Sequence, residues 1–581
     1  MSLGSFVNSS LFLSYCFMKY CTFIFLVSSI FGFLFSSFCL AQIKTIEVPD
    51  GKYFVDRYNK IILCTEKIAD LGGPTRMTEI VIKFDTIYNL PEGVQFFSYS
   101  ESYDLQRGGD PFKLFFTKLP VFSITTSSDI VDDPKVPATL TYTDSSGLVL
   151  SSFIGIEYRG GWSQTLPKKN YDIEFWKDVT GRETVDVQFG NMRSDDDWIL
   201  DALYNEPVRI NSYTAHKLWL DVHTLYYANK SPKARSGADV AFAELFLNGQ
   251  YQGIYMLSEQ VDRKQLDLKK TTTKVEGELI KGVEWGNAST FLKVNPYDNS
   301  SVLWDGLEMK YPDEVINWEN IYSFVDFVVN SRNVEFKRSI HERFTIDNAI
   351  DYFLFMNLLG AADNTGKNIY MCKYKAGEPY FFVPWDLDGT YGTNWEGKRL
   401  YSHDFILSNR LFARLIKLNP GDFLQKAVSR WFELRGATFS NHSIAENLDR
   451  NYSLLRDNNV YAREMMVWAN YTFSAGDLTF MKEWMDRRLE YLDDYFAGVL
   501  TSDDSEGTEA VLIFPNPTSD FLIIDCDGDH DVPFSLGNLQ GAVLKSGTFF
   551  GGRNFLNTYD LESGVYVLIV GDTFHKVSVV K

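Results

Sequence analysis

Cysteine is scarce in this chain, and basic charge is outnumbered. Six cysteines occur in 581 residues, and Cys16, Cys21 and Cys39 fall in an apolar N-terminal stretch. Cys64, Cys372 and Cys526 lie far apart, with neither metal-ligand spacing nor a disulfide framework. A large apolar core has to supply the stability instead. Lys and Arg total 56 against 76 Asp and Glu, a net charge of −20. That balance argues against nucleic acid as a partner, because phosphate-backbone binding needs basic patches. After residue 41 no apolar run approaches the ~20 residues that span a bilayer, so no transmembrane helix is expected once the leader is removed.

The leader itself is plain. Residues 18–41, MKYCTFIFLVSSIFGFLFSSFCLA, set Lys19 before a long apolar run and small residues before Gln42. This is a secretory signal peptide, taken as residues 1–41 with Met18 as an alternative start. The remaining length of roughly 540 residues corresponds to about three or four domains. Residues 42–115 read as a β-rich segment whose role is not legible. A central region spans 116–500, and a polar, charged linker occupies 501–509. Residues 510–581 hold short alternating runs (FLIID, AVLKSG, VYVLIV, KVSVVK) with Gly541 and Gly564 at turns, which predicts a small all-β sandwich.

The central region changes character once. Up to about Gly282 it alternates, as in Glu79–Phe84, Ala138–Tyr142 and Phe153–Tyr158, interrupted by a helix expected at 206–220. From Asn317 onward apolar residues recur at helical spacing. Asp347 is the expected N-cap of an apolar helix over 350–359, and further helices are expected at 442–470 and 478–498. At the junction lies AADNTGKNIYMCKY, then WDLDG. Asp363 is followed five positions later by Asn368 and 23 positions later by Asp386. Protein kinases use this order to hold Mg·ATP: one carboxylate orients the accepting hydroxyl, while an amide oxygen and a second carboxylate give Mg²⁺ its hard oxygen ligands. Runs 369–374 and 380–383 around Ala376-Gly377-Glu378-Pro379 form a hairpin that returns the second Asp beside the first. A loop, hairpin and loop with ordinary surface acids is the plainer alternative.

Two more hairpins carry candidate residues. In Tyr158-Arg-Gly-Gly-Trp-Ser-Gln-Thr-Leu-Pro-Lys-Lys169 a Gly-rich turn precedes two lysines, so backbone N–H groups and a Lys can face phosphate; a solvated basic tip is the alternative. The second hairpin turns at Asn248-Gly249, and its outgoing strand ends in Glu259 and Asp262, where a kinase layout places the interlobe hinge and adenine.

These pieces together, with Leu119-Pro-Val-Phe-Ser-Ile124 before them, resemble the spore coat protein H (CotH) kinase family, itself similar to atypical secretory-pathway protein kinases. The resemblance implies an α+β, bilobal protein-kinase-like fold with a β-rich N-lobe and an α-rich C-lobe. It also implies ATP- and Mg²⁺- (or Mn²⁺-) dependent phosphorylation of Ser or Thr on proteins outside the cytoplasm. By it, Asp363 is the catalytic carboxylate, Asp386 and Asn368 are metal ligands, and Asp388 is a further metal partner or supports one. Lys168 or Lys169 contacts phosphate, and Glu259 lies at the nucleotide. Ala361-Ala362 stand where His-Arg precedes the catalytic Asp in ordinary kinases, and Glu206 is the candidate partner for the lysine. The last block, with Pro515-Asn516-Pro517 and Leu561-x-x-Gly564-x-Tyr566, resembles the C-terminal sorting domain of the type IX secretion system. That implies a Bacteroidetes-type outer-membrane route and the type IX machinery as a partner. An inactive surface-binding or adhesion protein on the same fold is the competing function.

Overall fold

The structure, a computed structural model, describes residues 43–71, 80–91, 94, 96–501, 511–514, 516–526, 531–550, 552–571 and 573–580. The leader and, apart from residue 501, the linker lie outside these residues.

Alternation builds the first unit. Strands from Lys44–Glu47 to Asp110–Phe116 form one seven-stranded sheet. In Ser102–Arg107, Tyr103 and Leu105 turn inward and their neighbours outward. Ile61–Cys64 is buried on both faces, an exception with a cause. Ile62 and Cys64 fill the unit's own core. Ile61 and Leu63 pack with Phe115 against Val121, Phe246 and Tyr251 of the next unit.

That next unit is a closed barrel. Its seven strands are Val121–Thr125, Val136–Thr143, Val149–Arg159, Asn170–Trp176, Asp197–Asp201, Val240–Leu247 and Gln250–Glu259. Closure removes the open edges that an isolated sheet would expose. Phe122, Ile154, Ile173, Phe175, Trp198 and Tyr255 fill it. The turn at Asn248-Gly249 has φ of 51° and 74°, the two left-handed residues a tight hairpin asks for. Helix Asn211–Val222 interrupts the barrel strands in sequence. It starts later than 206 because Leu203 and Arg209 are left-handed and Pro207 lies between them.

A five-stranded sheet follows, with Glu278–Gly282 paired to Ile369–Lys373, and Ile369–Lys373 paired to Tyr380–Pro384. Helices then dominate, around a core that includes Trp318, Trp431 and Trp484. The segment expected as one helix over 442–470 is two, Asn441–Asp457 and Val460–Val467, broken where Asn459 turns left-handed. Thr345, not Asp347, is the N-cap residue of Ile346–Leu359, and Asp347 sits in its first turn. The C-terminal unit is two sheets of three and four strands closing on Leu522, Ile524, Leu536, Leu568 and Val577. The whole is therefore α+β: β-rich first, helical in the later half, and all-β at the end. Among the described residues no helix is long and apolar enough to cross a membrane.

Candidate active site

The buried helix Ile346–Leu359 ends at Gly360 (φ 68°), a left-handed C-cap. A Cβ there would come within 2.9 Å of the Trp484 ring. The chain then enters a 3₁₀ turn that opens with Asp363. The Tyr352 hydroxyl donates to the Asn364 carbonyl at 2.8 Å, which holds this turn from beneath. Asn364 in turn donates through Nδ2 to the carbonyls of Asn368 (2.7 Å) and Trp385 (2.8 Å). Trp385 N–H donates to the Asn368 carbonyl at 3.0 Å, and Asn368 N–H to the Gly282 carbonyl at 2.9 Å. Asn368 and Asp386 are left-handed, each with φ of 55°. Non-glycine residues hold that conformation only where the surroundings fix it.

Asp363, Asp386 and Asp388 lie near enough to act on one another's charge, and the Asn368 carbonyl holds Trp385 next to Asp386. None of these three carboxylates, nor the Asn368 side chain, makes a hydrogen bond or ion pair among the described residues. Burial raises the Asp363 carboxyl above its ordinary value; Lys367 opposes this and Asp386 reinforces it. Burial pushes Asp388 well up, and the charges of Asp386, Glu206, Asp363 and Asp201 add to it.

The barrel side brings two further carboxylates. Asp201 ends the strand Asp197–Asp201, and burial pushes it up to about 6, with Asp386 among the contributing charges. Burial pushes Glu206 up to about 7, although it accepts bonds from Asn211 N–H (2.7 Å) and Ser212 N–H (2.9 Å). Glu206 therefore caps the helix Asn211–Val222 rather than pairing a lysine. Asn211 reaches over to the loop after WDLDG, donating to the Thr390 carbonyl (2.9 Å) and Thr393 Oγ1 (3.0 Å).

The lysine's acid is Glu464, on the helix Val460–Val467. Lys168 Nζ lies 2.9 Å from Glu464 Oε1 and 2.6 Å from the Ile254 carbonyl. Arg209 Nε donates to Glu464 Oε2 at 3.1 Å, and Ile254 N–H donates to Oε1 at 2.7 Å. Gly253 (φ +94°) makes room, since a Cβ there would stand 1.9 Å from Oε1. Burial pushes Lys168 down to about 8 against the pull of Glu464, so the ammonium stays charged at neutral pH.

Lys169 and Glu259 do not join the centre. Lys169 Nζ donates to the carbonyls of Gln164 and Leu166, at 2.6 Å each, which pins the Gly-rich turn. Glu259 is fully buried and accepts from Arg193 N–H (2.7 Å), Gln265 Nε2 (3.0 Å) and Asp239 N–H (3.1 Å). Its carboxylate ties three segments together and presents nothing to a nucleotide.

Other groups were missed from sequence. The Arg159 guanidinium lies 5.6 Å from the Trp385 ring centroid and donates to Asp172 at 2.7 Å. Lys281 is pushed down to about 8 by burial and by Arg159, while Asp386 opposes this. Trp162 of the Gly-rich turn meets Trp395 edge-on at 4.7 Å, which links the turn to the loop after WDLDG. Sets of three acidic ligand atoms within 4.8 Å of one another occur, among the described residues, at Glu174/Asp196/Asp197 and Asp186/Asp195/Asp196, on or beside the barrel, rather than at Asp386. Lys264 bonds Asp195 (3.0 Å) and Asp196 (2.7 Å), which neutralises part of that group.

A mixed α+β protein whose β-rich and helical halves meet at a centre of carboxylates that lack partners among the described residues, with a buried Lys–Glu pair beside it, is the class these features define. Residues 156–492, more than half of the chain, match the CotH kinase protein family model, and the chain belongs to that family. It is also similar to the inner spore coat protein H of Bacillus subtilis (strain 168), at 24% identity over 320 residues, covering 52% of this chain and 75% of that protein. Residues 512–580 match a secretion system C-terminal sorting domain. The protein is therefore exported by the type IX route to the cell surface or beyond. Deleting residues 510–581 should leave a folded remainder trapped within the envelope of the native host; normal surface delivery of the truncated chain, read by fractionation, would contradict this.

Proposed function

We propose that this protein is an exported protein kinase of atypical, bilobal kinase-like build, moving the terminal phosphoryl group of ATP to Ser or Thr hydroxyls of secreted or surface proteins. The observation that carries this reading is that Asp363, Asp386 and Asp388 act on one another's charge beside Asn368, while none of these side chains has a hydrogen-bond or ion-pair partner among the described residues. Burial raises Asp363 and Asp388, with neighbouring carboxylates reinforcing it, and hard oxygen donors of this kind suit Mg²⁺ or Mn²⁺. Asp386 and Asn368 would hold the ion, with Asp388 beside them; when bound, it neutralises phosphate charge.

The chain's own residues do the rest. Asp363 orients the acceptor hydroxyl and takes its proton. Lys168, fully buried and fixed by Glu464 and the Ile254 carbonyl, holds positive charge behind the centre, and phosphate would reach it only if the surrounding packing opens. Lys281, coupled to Asp386, and Arg159, coupled to Asp201, supply further positive charge. The Gly-rich turn meets the loop after WDLDG through Trp162 on Trp395, which ties the two together. An inactive binding protein has no use for this unpaired acid set.

The test is the metal dependence of nucleotide binding. In calorimetric titrations the parent should bind ATP more tightly with Mg²⁺ than without it. Asp386→Ala should bind more weakly and lose nearly all of that difference. Retained metal dependence would shift the ligand role to Asp388.

A further inference from the structure

The strands of the C-terminal unit have an outer face that their own sandwich does not bury. In Phe521–Cys526, Leu522, Ile524 and Cys526 enter the unit's core. Ile523 points the opposite way, as a period of two requires. Phe514 sits directly across from it on the neighbouring strand. Both are buried all the same, at 0% and 2% exposure, because they pack on Leu292 and Ala413 of the central region. Lys576 adds an ion pair to Asp404. Asp404 belongs to residues 401–409, a stretch with no helix or strand that follows the acidic motif.

This contact adjoins the turn that carries Asp363. A cavity of about 300 Å³ lies at the junction, walled by Trp285, Thr290, Thr365 and Asn409 on one side and by Phe514 and Phe555 on the other. Asn409 Nδ2 donates to the Thr365 carbonyl at 2.9 Å. Thr290 and Trp285 crowd Gly366, where a Cβ would meet them at 2.7 and 3.3 Å. A protein acceptor has to bring its hydroxyl to Asp363 along a free side of this turn, and the C-terminal unit occupies ground beside it.

We propose that the docked C-terminal sorting unit is a cover on the acceptor side of the Asp363 turn, restraining phosphate transfer to other proteins until it undocks. This rests on the kinase reading for its consequence, but the docking itself does not. An exported enzyme of this build stays restrained while the address that delivers it is still in place.

The experiment uses the exported chain with its leader removed. Ser408→Cys places a thiol on the cavity wall, and Cys64, Cys372 and Cys526 are buried, so background labelling is low. Ile523→Asp puts a carboxylate into the docking contact and leaves the sandwich core untouched, which opposes docking because a buried, unpaired charge is costly. Maleimide labelling of Ser408→Cys should accelerate at least about tenfold in the Ile523→Asp background. Transfer from labelled ATP to an added acceptor protein should rise in the Ile523→Asp chain that keeps Ser408. Unchanged labelling, with the sandwich still folded by circular dichroism, overturns the docked cover. Faster labelling with unchanged transfer in an active enzyme overturns its restraining role. Faster labelling with no transfer by either protein supports the docking, removes the restraining role, and counts against the kinase reading instead.

Discussion

Replacing Glu464 by Ala is expected to cost the central region about 3–5 kcal/mol, the range for breaking a buried ion pair by removing one partner. Glu464 is fully buried and faces two cations, Lys168 and Arg209, which are buried with it. Its loss strands both charges and the Ile254 N–H together. Denaturant melts followed by tryptophan fluorescence check this, since Trp468 follows closely on the same segment. Glu464→Gln keeps the shape and part of the bonding, and should lose less. The pH dependence has a definite sign. Burial would raise this carboxyl, but Lys168 and Arg209 overcome it and hold it below 4.5. Its contribution is therefore present above that value and disappears as pH falls through the lower, folded value. The Ala variant should show a correspondingly smaller loss of stability in acid.

The second large effect falls on rate rather than stability. Asp363→Asn keeps the size of the side chain but removes the negative charge. If Asp363 takes the acceptor proton, transfer should drop about 10²–10⁴-fold, the usual cost of losing a general base. ATP affinity and melting temperature should stay near those of the parent if, as proposed, metal and phosphate contacts fall to other residues. Melting temperature has reason to rise slightly, since burial and Asp386 already disfavour the Asp363 charge.

The hairpin that returns Asp386 toward Asp363 was legible because its geometry is local. A short hairpin joins Asn368 to Asp386, and Ile369–Lys373 pairs with Tyr380–Pro384 in register. The Gly-rich turn and the Asn248-Gly249 hairpin were legible for the same reason. Glu464 was not, because its pairing with Lys168 spans 296 positions and no spacing rule connects them. Lys168 and Lys169 were inseparable on paper. They enter the strand Asn170–Trp176 as neighbours, so their side chains leave on opposite faces, one toward Glu464 and one onto the turn. Glu259 read as an accessible acid at a strand end, but Arg193, Asp239 and Gln265 close over it from segments remote in sequence. Asp201 carries no motif at all. Only barrel closure beside Gln250–Glu259 brings it toward Asp386.

The measurement that bears most directly on the account is a transfer assay. The purified, leader-free protein and its Asp363→Asn variant are incubated with γ-labelled ATP, Mg²⁺ or Mn²⁺, and exported proteins of the native host. Label should pass from ATP to Ser or Thr of a protein acceptor only with the metal, and only with the parent. Equal labelling by parent and variant would remove Asp363 from the chemistry. ATP binding by both with no transfer by either would contradict the kinase reading itself.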